Sequence, residues 1–204
     1  MNKLLIRICS LALAVLLVLP LVSSVMVGAQ DITKQDIQEK MLEILYNNDE
    51  AGFVSCDFDG YVELRPKRHE GIDFAIGQGH DVCALIDGVV TNAGGDSLNT
   101  IAIYDEENDK TVIYLHTSSS VNIEVGDTVK VGQVIALEGS KGAKGAVHTH
   151  VEVRDGKQTK ASYSSDYVLD NENPYEYWEK VLFEKKNETK AHARLPIPAR
   201  KTNK

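Results

Sequence analysis

The chain has 204 residues, 43% of them hydrophobic and 25% charged, and a formal charge of -8. Those proportions are ordinary for a globular protein and exclude wholesale disorder. The acidic balance, with basic residues gathered at the end (seven Lys/Arg against two Glu from Glu184 to Lys204), argues against nucleic acid as a partner.

Residues 1–29 begin with Lys3 and Arg7, pass through a nearly unbroken apolar run from Leu11 to Leu21, and end on the small residues of Val27-Gly28-Ala29. This is the layout of a secretory signal peptide. Its apolar stretch approaches the ~20 residues that span a bilayer, so membrane contact is expected only if the segment stays uncleaved. Export to the extracellular space and cell wall, or to a periplasm, is the corresponding expectation. Cleavage removes Cys9 and leaves Cys56 and Cys83, either as one disulfide or as two separate buried thiols.

Residues 30–51 read as a helix and linker. Thr33 and Asp36 form a capping box, and Ile37, Met41, Ile44 and Leu45 recur at the spacing of an amphipathic helix reaching about Asn48. From residue 52 to 157 the pattern changes to short apolar runs broken by Gly, Asn and Asp. Strands are expected at Tyr61–Leu64, Ile72–Ala75, Asp81–Ala84, Gly88–Ala93, Thr100–Tyr104, Thr111–Leu115, Thr128–Lys130, Gln133–Glu138 and Val147–Arg154. Asn108-Asp109 is expected to turn a hairpin. The fold class is therefore an all-β core, sandwich- or barrel-like, with flanking N- and C-terminal α-helices. An extension over 158–186 carries the second helix, from Tyr175 to about Lys186, with Asn173 as N-cap, Pro174 in the first turn, and Tyr177, Trp178, Val181 and Leu182 facing the body. Residues 187–204 read as a basic tail.

Three pieces of the β region carry chemistry. In Val147-His148-Thr149-His150-Val151, the alternation of a half-buried strand places His148 and His150 on one face. Upstream, Arg68-His69-Glu70-Gly71-Ile72-Asp73 would put His69 and Asp73 on one face if extended, with Gly71 between them leaving room for an ion. His116 ends the Thr111 strand. Two imidazoles and a carboxylate suit zinc, although iron or cobalt could take the same donors, and three protein ligands leave a fourth position for water.

H-x-G-x-D at His69 to Asp73, Tyr-x-His at Tyr114 to His116, and H-x-H at His148 to His150 together resemble the lysostaphin-type, LytM-like zinc metallopeptidases, which cut peptide bonds in peptidoglycan. Asp87-Gly88-Val89-Val90, Val125 to Val129 and Gly132 to Ile135 extend the resemblance across roughly Arg65 to Gly156. It implies a duplicated hybrid β motif, one Zn2+ ion held by His69, Asp73 and His150, and two unligated catalytic histidines, His116 and His148. The implied partners are the peptide stems or cross-bridges of peptidoglycan. His80 and His192 match nothing in the family. Thr149 stands where the family usually has an apolar residue, and Ala146-Val147 replaces its small-Gly-Pro lead-in. A non-catalytic wall-binding or amidase-activating domain of the same fold is the alternative. A biotin- or lipoyl-type carrier is disfavoured because no Met-Lys-Met-like attachment turn is present.

Overall fold

A computed structural model describes residues 31–60, 68–120, 123–162 and 169–184. Helix α1 spans Lys34–Leu45 and opens on the expected capping box, in which the Thr33 side chain accepts from the Asp36 N–H and the Asp36 carboxylate accepts from the Thr33 N–H. Its buried residues, Ile37, Met41 and Leu45, lie on one stripe. The helix stops at Tyr46, after which Asn47 and Asn48 adopt left-handed conformations (φ 50° and 65°) that short polar side chains tolerate.

The β elements are β1 (Phe53–Cys56), β2 (Ile72–Ala75), β3 (Asp81–Cys83), β4 (Gly88–Ala93), β5 (Ile101–Asp105), β6 (Lys110–Leu115), β7 (Ser119–Ser120), β8 (Thr128–Val129), β9 (Val134–Leu137) and β10 (Thr149–Asp155). They form a seven-stranded sheet in the order β1-β2-β10-β6-β5-β4-β8 and a three-stranded sheet in the order β3-β9-β7. Asp109, at φ 50°, turns the expected hairpin between β5 and β6, which closes on the pair Asp105–Lys110.

Alternation along each strand divides the large sheet into two faces. Phe74, Ile72, Val151, Val153, Tyr114, Val112, Ile101 and Ile103 belong to the main core, which Val82, Ile135 and Ala136 of the small sheet join. Ile37, Met41, Leu45 and Tyr46 of the α1 segment complete it, with Tyr177, Trp178 and Leu182 of the C-terminal helix. On the opposite face Ala102, Ile113 and Leu115 form a smaller apolar cluster with Leu98 and Ala161. That second face carries the histidines.

Several expectations need correction. Strand β1 was not anticipated: Phe53 is 56% exposed and the register shifts between Val54 and Cys56, so this edge strand lacks a clean alternation. The strand expected at Tyr61–Leu64 lies outside the described residues, as do the signal segment and the basic tail. Helix α2 covers only Tyr175–Glu179 and passes into a π-helical turn over Lys180–Glu184. Pro174 precedes it, while Asn173 accepts the Tyr175 N–H through its side-chain oxygen at 3.1 Å. Cys56 and Cys83 are both free thiols, on β1 and β3 of different sheets.

Candidate metal centre

Strand register, more than sequence proximity, assembles the site. Strand β10 lies between β2 and β6, so His150 faces Asp73 on one side and Leu115 on the other. His116 follows Leu115 directly. His148, just before β10, shares the His150 face, and its N–H donates to the Gly139 carbonyl at 3.1 Å. His69 lies ahead of β2 and folds back onto Asp73.

Three atoms converge at the centre. His69 Nε2 is 3.0 Å from Asp73 Oδ1 and 3.1 Å from His150 Nδ1, and His150 Nδ1 is 2.8 Å from Asp73 Oδ1. Each imidazole is oriented through its other nitrogen. His69 Nδ1 donates to the Asp57 carbonyl at 2.7 Å, which turns its Nε2 lone pair inward. His150 is reversed: Nε2 faces the buried Glu152 carboxylate at 3.4 Å, leaving Nδ1 to point inward. Glu152 is itself held by the Ser162 N–H at 2.6 Å and the Ser162 hydroxyl at 2.9 Å. A carboxylate behind a ligating histidine fixes its tautomer and raises its basicity.

Lone pairs gathered this closely repel one another unless positive charge lies among them. Burial opposes charge on His150, but the Asp73 and Glu152 carboxylates outweigh it and raise the imidazole to about 10. Burial would likewise raise Asp73, yet the hydrogen bonds and charge of His150 and His69 hold it well below the usual carboxylate range. The local field therefore favours a cation. Two nitrogens and a carboxylate oxygen are a suitable donor set for zinc. Donors about 2.1 Å from one tetrahedral ion stand ~3.4 Å apart, so a shift of a few tenths of an ångström would seat it.

The two remaining histidines line the same centre. His116 and His148 have ring centroids 4.7 Å apart, and His116 is 6.2 Å from the His150 ring. His116 Nδ1 donates to the Lys141 carbonyl at 2.7 Å and His148 Nδ1 to the Ala146 carbonyl at 3.1 Å, so each leaves Nε2 available. His148 Nε2 stands 3.7 Å from Asp73 Oδ2. Burial, reinforced by the neighbouring His148 and His150, pushes His116 down to about 4 and keeps it neutral near pH 7.

His116 occupies the left-handed region (φ 67°), which is uncommon for a side chain of its size. It is held there by neighbours. Its N–H donates to the Leu98 carbonyl at 2.8 Å, while buried Asn99 donates to the Thr117 hydroxyl at 2.8 Å. Asp96 caps this loop, accepting the Leu98 N–H at 3.0 Å and the Thr100 N–H at 2.9 Å. Partial burial would raise the Asp96 carboxyl, but hydrogen bonds from Thr100, Leu98 and Asn99 prevail and lower it. Its contribution to stability is thus complete above the ordinary value of 3.8 and lost as pH falls through its lowered value. Asp96→Ala should cost about 1 kcal/mol at neutral pH, as for a lost cap. Its deficit against wild type in denaturant unfolding should shrink in strong acid.

All five expected site residues come together. One detail differs from expectation: Gly71 does not leave space for an ion. A Cβ there would lie 2.3 Å from the Val151 carbonyl oxygen and 2.8 Å from His150 Nε2, so its missing side chain admits strand β10 and the His150 ring. Glu152 was overlooked, although His148, His150 and Glu152 form a same-face i, i+2, i+4 series that could have revealed it. Sequence alone offers Cys56 only as a disulfide candidate or a buried thiol. It pairs in register with Asp73, and its sulfur lies with the ligand atoms of His69 and Asp73, all within 4.8 Å of one another. His80 lies elsewhere, its Nδ1 3.9 Å from the Asp49 carboxylate, and His192 is outside the described residues.

Residues 67–162 match Peptidase family M23. The chain is 36% identical over 87 residues to the glycyl-glycine endopeptidase ALE-1 of Staphylococcus capitis, a match covering 41% of this chain and 24% of that protein. It is 37% identical over 93 residues to an uncharacterized metalloprotease of Haemophilus influenzae, covering 44% and 18%. Lysostaphin of Staphylococcus simulans is 34% identical over 87 residues, covering 41% and 17%. The chain thus spans a quarter or less of the length of these relatives. Among solved structures, the antimicrobial peptidase lysostaphin from Staphylococcus simulans superposes with a TM-score of 0.50 at 27% identity, covering 78% of this chain and 61% of that one. A solution structure of lysostaphin gives 0.51 at 26% identity, covering 67% and 52%. Together with the intact motifs, these matches assign residues 67–162, just under half of the chain, to Peptidase family M23, with lysostaphin among the similar proteins.

Proposed function

We propose that this protein is an exported zinc metalloendopeptidase that hydrolyses peptide bonds in bacterial peptidoglycan. The observation that carries the reading is the meeting of His69 Nε2, Asp73 Oδ1 and His150 Nδ1 within 3.1 Å, with His116 and His148 beside them. Its substrate class follows by analogy with the relatives named for lysostaphin and glycyl-glycine endopeptidase activity. Export follows from the charged and apolar pattern of residues 1–29.

His69, Asp73 and His150 would hold the ion. When bound, zinc supplies Lewis acidity, polarising a peptide carbonyl and acidifying water. The protein's own groups then handle protons and orientation. His116, neutral and anchored through Nδ1, offers Nε2 as the acceptor of a proton from the attacking water. His148, anchored to the Ala146 carbonyl, presents Nε2 on the same side. We assign it, in the imidazolium form that also carries a proton on Nε2, to stabilising the developing oxyanion or to giving that proton to the leaving amine. Glu152 and the Asp57 carbonyl keep the two ligand imidazoles in the required tautomers.

The direct test is to incubate the purified, zinc-loaded protein with peptidoglycan of several cross-bridge types and measure new free amino groups. Release that stops on chelation and returns with zinc is the expected result. Binding to the wall without release, at any cross-bridge, would replace the enzyme by the non-catalytic wall-binding domain.

A further inference from the structure

Directly beneath the H-x-H strand, on the core side of the sheet, lies a carboxylate that the proposed reaction does not use. Glu138 is fully buried. A buried carboxylate is costly unless donors surround it, and here they come from three separate segments. Its Oε1 accepts the Tyr46 hydroxyl at 2.6 Å and faces the Thr149 hydroxyl at 3.4 Å. Its Oε2 accepts the Ile76 N–H at 3.0 Å and the Gly77 N–H. Burial and the adjacent carboxylate push the Tyr46 hydroxyl far above its ordinary value, so it remains a donor.

The sources of these donors matter more than their number. Ile76 and Gly77 immediately follow β2, which carries Asp73. Thr149 lies between His148 and His150, pointing through the opposite face of the sheet. The next residue after Glu138, Gly139, accepts the His148 N–H. Tyr46 is the cap of α1, which belongs to the N-terminal extension and lies outside the matched family segment. Thr149, the departure from the apolar residue the resemblance leads one to expect, thereby finds a partner. An apolar side chain there could not reach Glu138 with a hydrogen bond.

We propose that Glu138 is a positioning residue for the metal centre, tying the Asp73 strand, the His148–His150 strand and helix α1 together through Tyr46 and Thr149. This rests on reading His69, Asp73 and His150 as metal ligands. Because the ligand atoms lie within 3.1 Å of one another, small displacements of β2 against β10 alter their convergence. The carboxylate resists that displacement from below.

The test uses the full chain and the variants Glu138→Gln, Tyr46→Phe, Thr149→Val and Thr149→Ser. Zinc affinity is measured by competition with a chromophoric chelator, unfolding of the metal-free protein by denaturant, and kcat and KM at saturating zinc. Glu138→Gln should weaken zinc binding by ~10–100-fold in folded protein, the range for lost partners of metal ligands, and lower kcat more than KM changes. Thr149→Val and Tyr46→Phe should weaken it severalfold, with Thr149→Ser restoring wild-type affinity. If Glu138→Gln fails to fold, the two single-donor variants decide the matter. Folded variants that lose stability but bind zinc within twofold of wild type would overturn the positioning role and leave Glu138 merely structural. A wild-type protein that binds no zinc would instead remove the metal-centre reading on which the proposal stands.

Discussion

Asp73→Ala should empty the protein of zinc and abolish hydrolysis together. Asp73 Oδ1 contacts both the His69 and the His150 imidazoles, and it is the anionic one of the three converging atoms. Structural zinc sites with four ligands bind with ~10–16 kcal/mol, so one ligand accounts for about 3 kcal/mol or more, at least ~10²-fold in affinity. Without the carboxylate, His69 and His150 would face each other across a gap with only Glu152 to balance positive charge. Elemental analysis of protein dialysed against trace zinc should find the variant depleted while wild type retains about one equivalent. Stoichiometric zinc in the variant would sink the ligand assignment, whatever happened to activity. Asp73→Glu is the sterner comparison, since the same charge on a longer arm would have to fit into the His69–His150 gap.

His116→Ala should show the opposite pattern, with zinc retained and turnover lost. The imidazole lies beside the His69–Asp73–His150 cluster, 6.2 Å from the His150 ring, and its Nδ1 is taken by the Lys141 carbonyl. A positioned general acid or base contributes typically ~10²–10⁴-fold, and that is the expected fall in kcat. Binding of a peptidoglycan fragment, followed by titration at inhibitory chelator concentrations, should change little. Unaltered turnover in a zinc-loaded His116→Ala protein would disprove the assignment. His148→Ala is expected to depress turnover too, and a double variant no slower than either single one would indicate that the pair acts as a unit.

Much of this site was legible because strands alternate locally. His148 and His150 could be paired from two residues of sequence, since a period of two leaves no other arrangement in an extended segment. The Thr33–Asp36 capping box and the Asn108-Asp109 turn were visible for the same reason: each is a contact over a few residues. What sequence could not provide was register. That His150 lies opposite Asp73 depends on β10 inserting between β2 and β6, which closes 77 residues of chain. The matching motifs supplied this by resemblance. Where resemblance was silent, the reading failed: Cys56 beside Asp73 and Glu138 beneath Thr149 are both products of pairing between distant strands. Gly71 was misread because periodicity says that room is made without saying which neighbour fills it. Strand β1 and the short helix α2 were misjudged for a different reason, an edge strand with a shifted register and a helix that changes its hydrogen-bonding pattern after five residues.

Strand β10 faces two unlike environments, with imidazoles on one side and Thr149, Val151 and Val153 on the other. A slip by a single residue during folding would turn both histidines into the apolar interior and bring valines to the cleft. Mispaired chains would therefore leave His69 and Asp73 without His150 between β2 and β6. That dependence ties the meeting of the three donor atoms to completion of the sheet, because no partly paired intermediate presents His150 to Asp73.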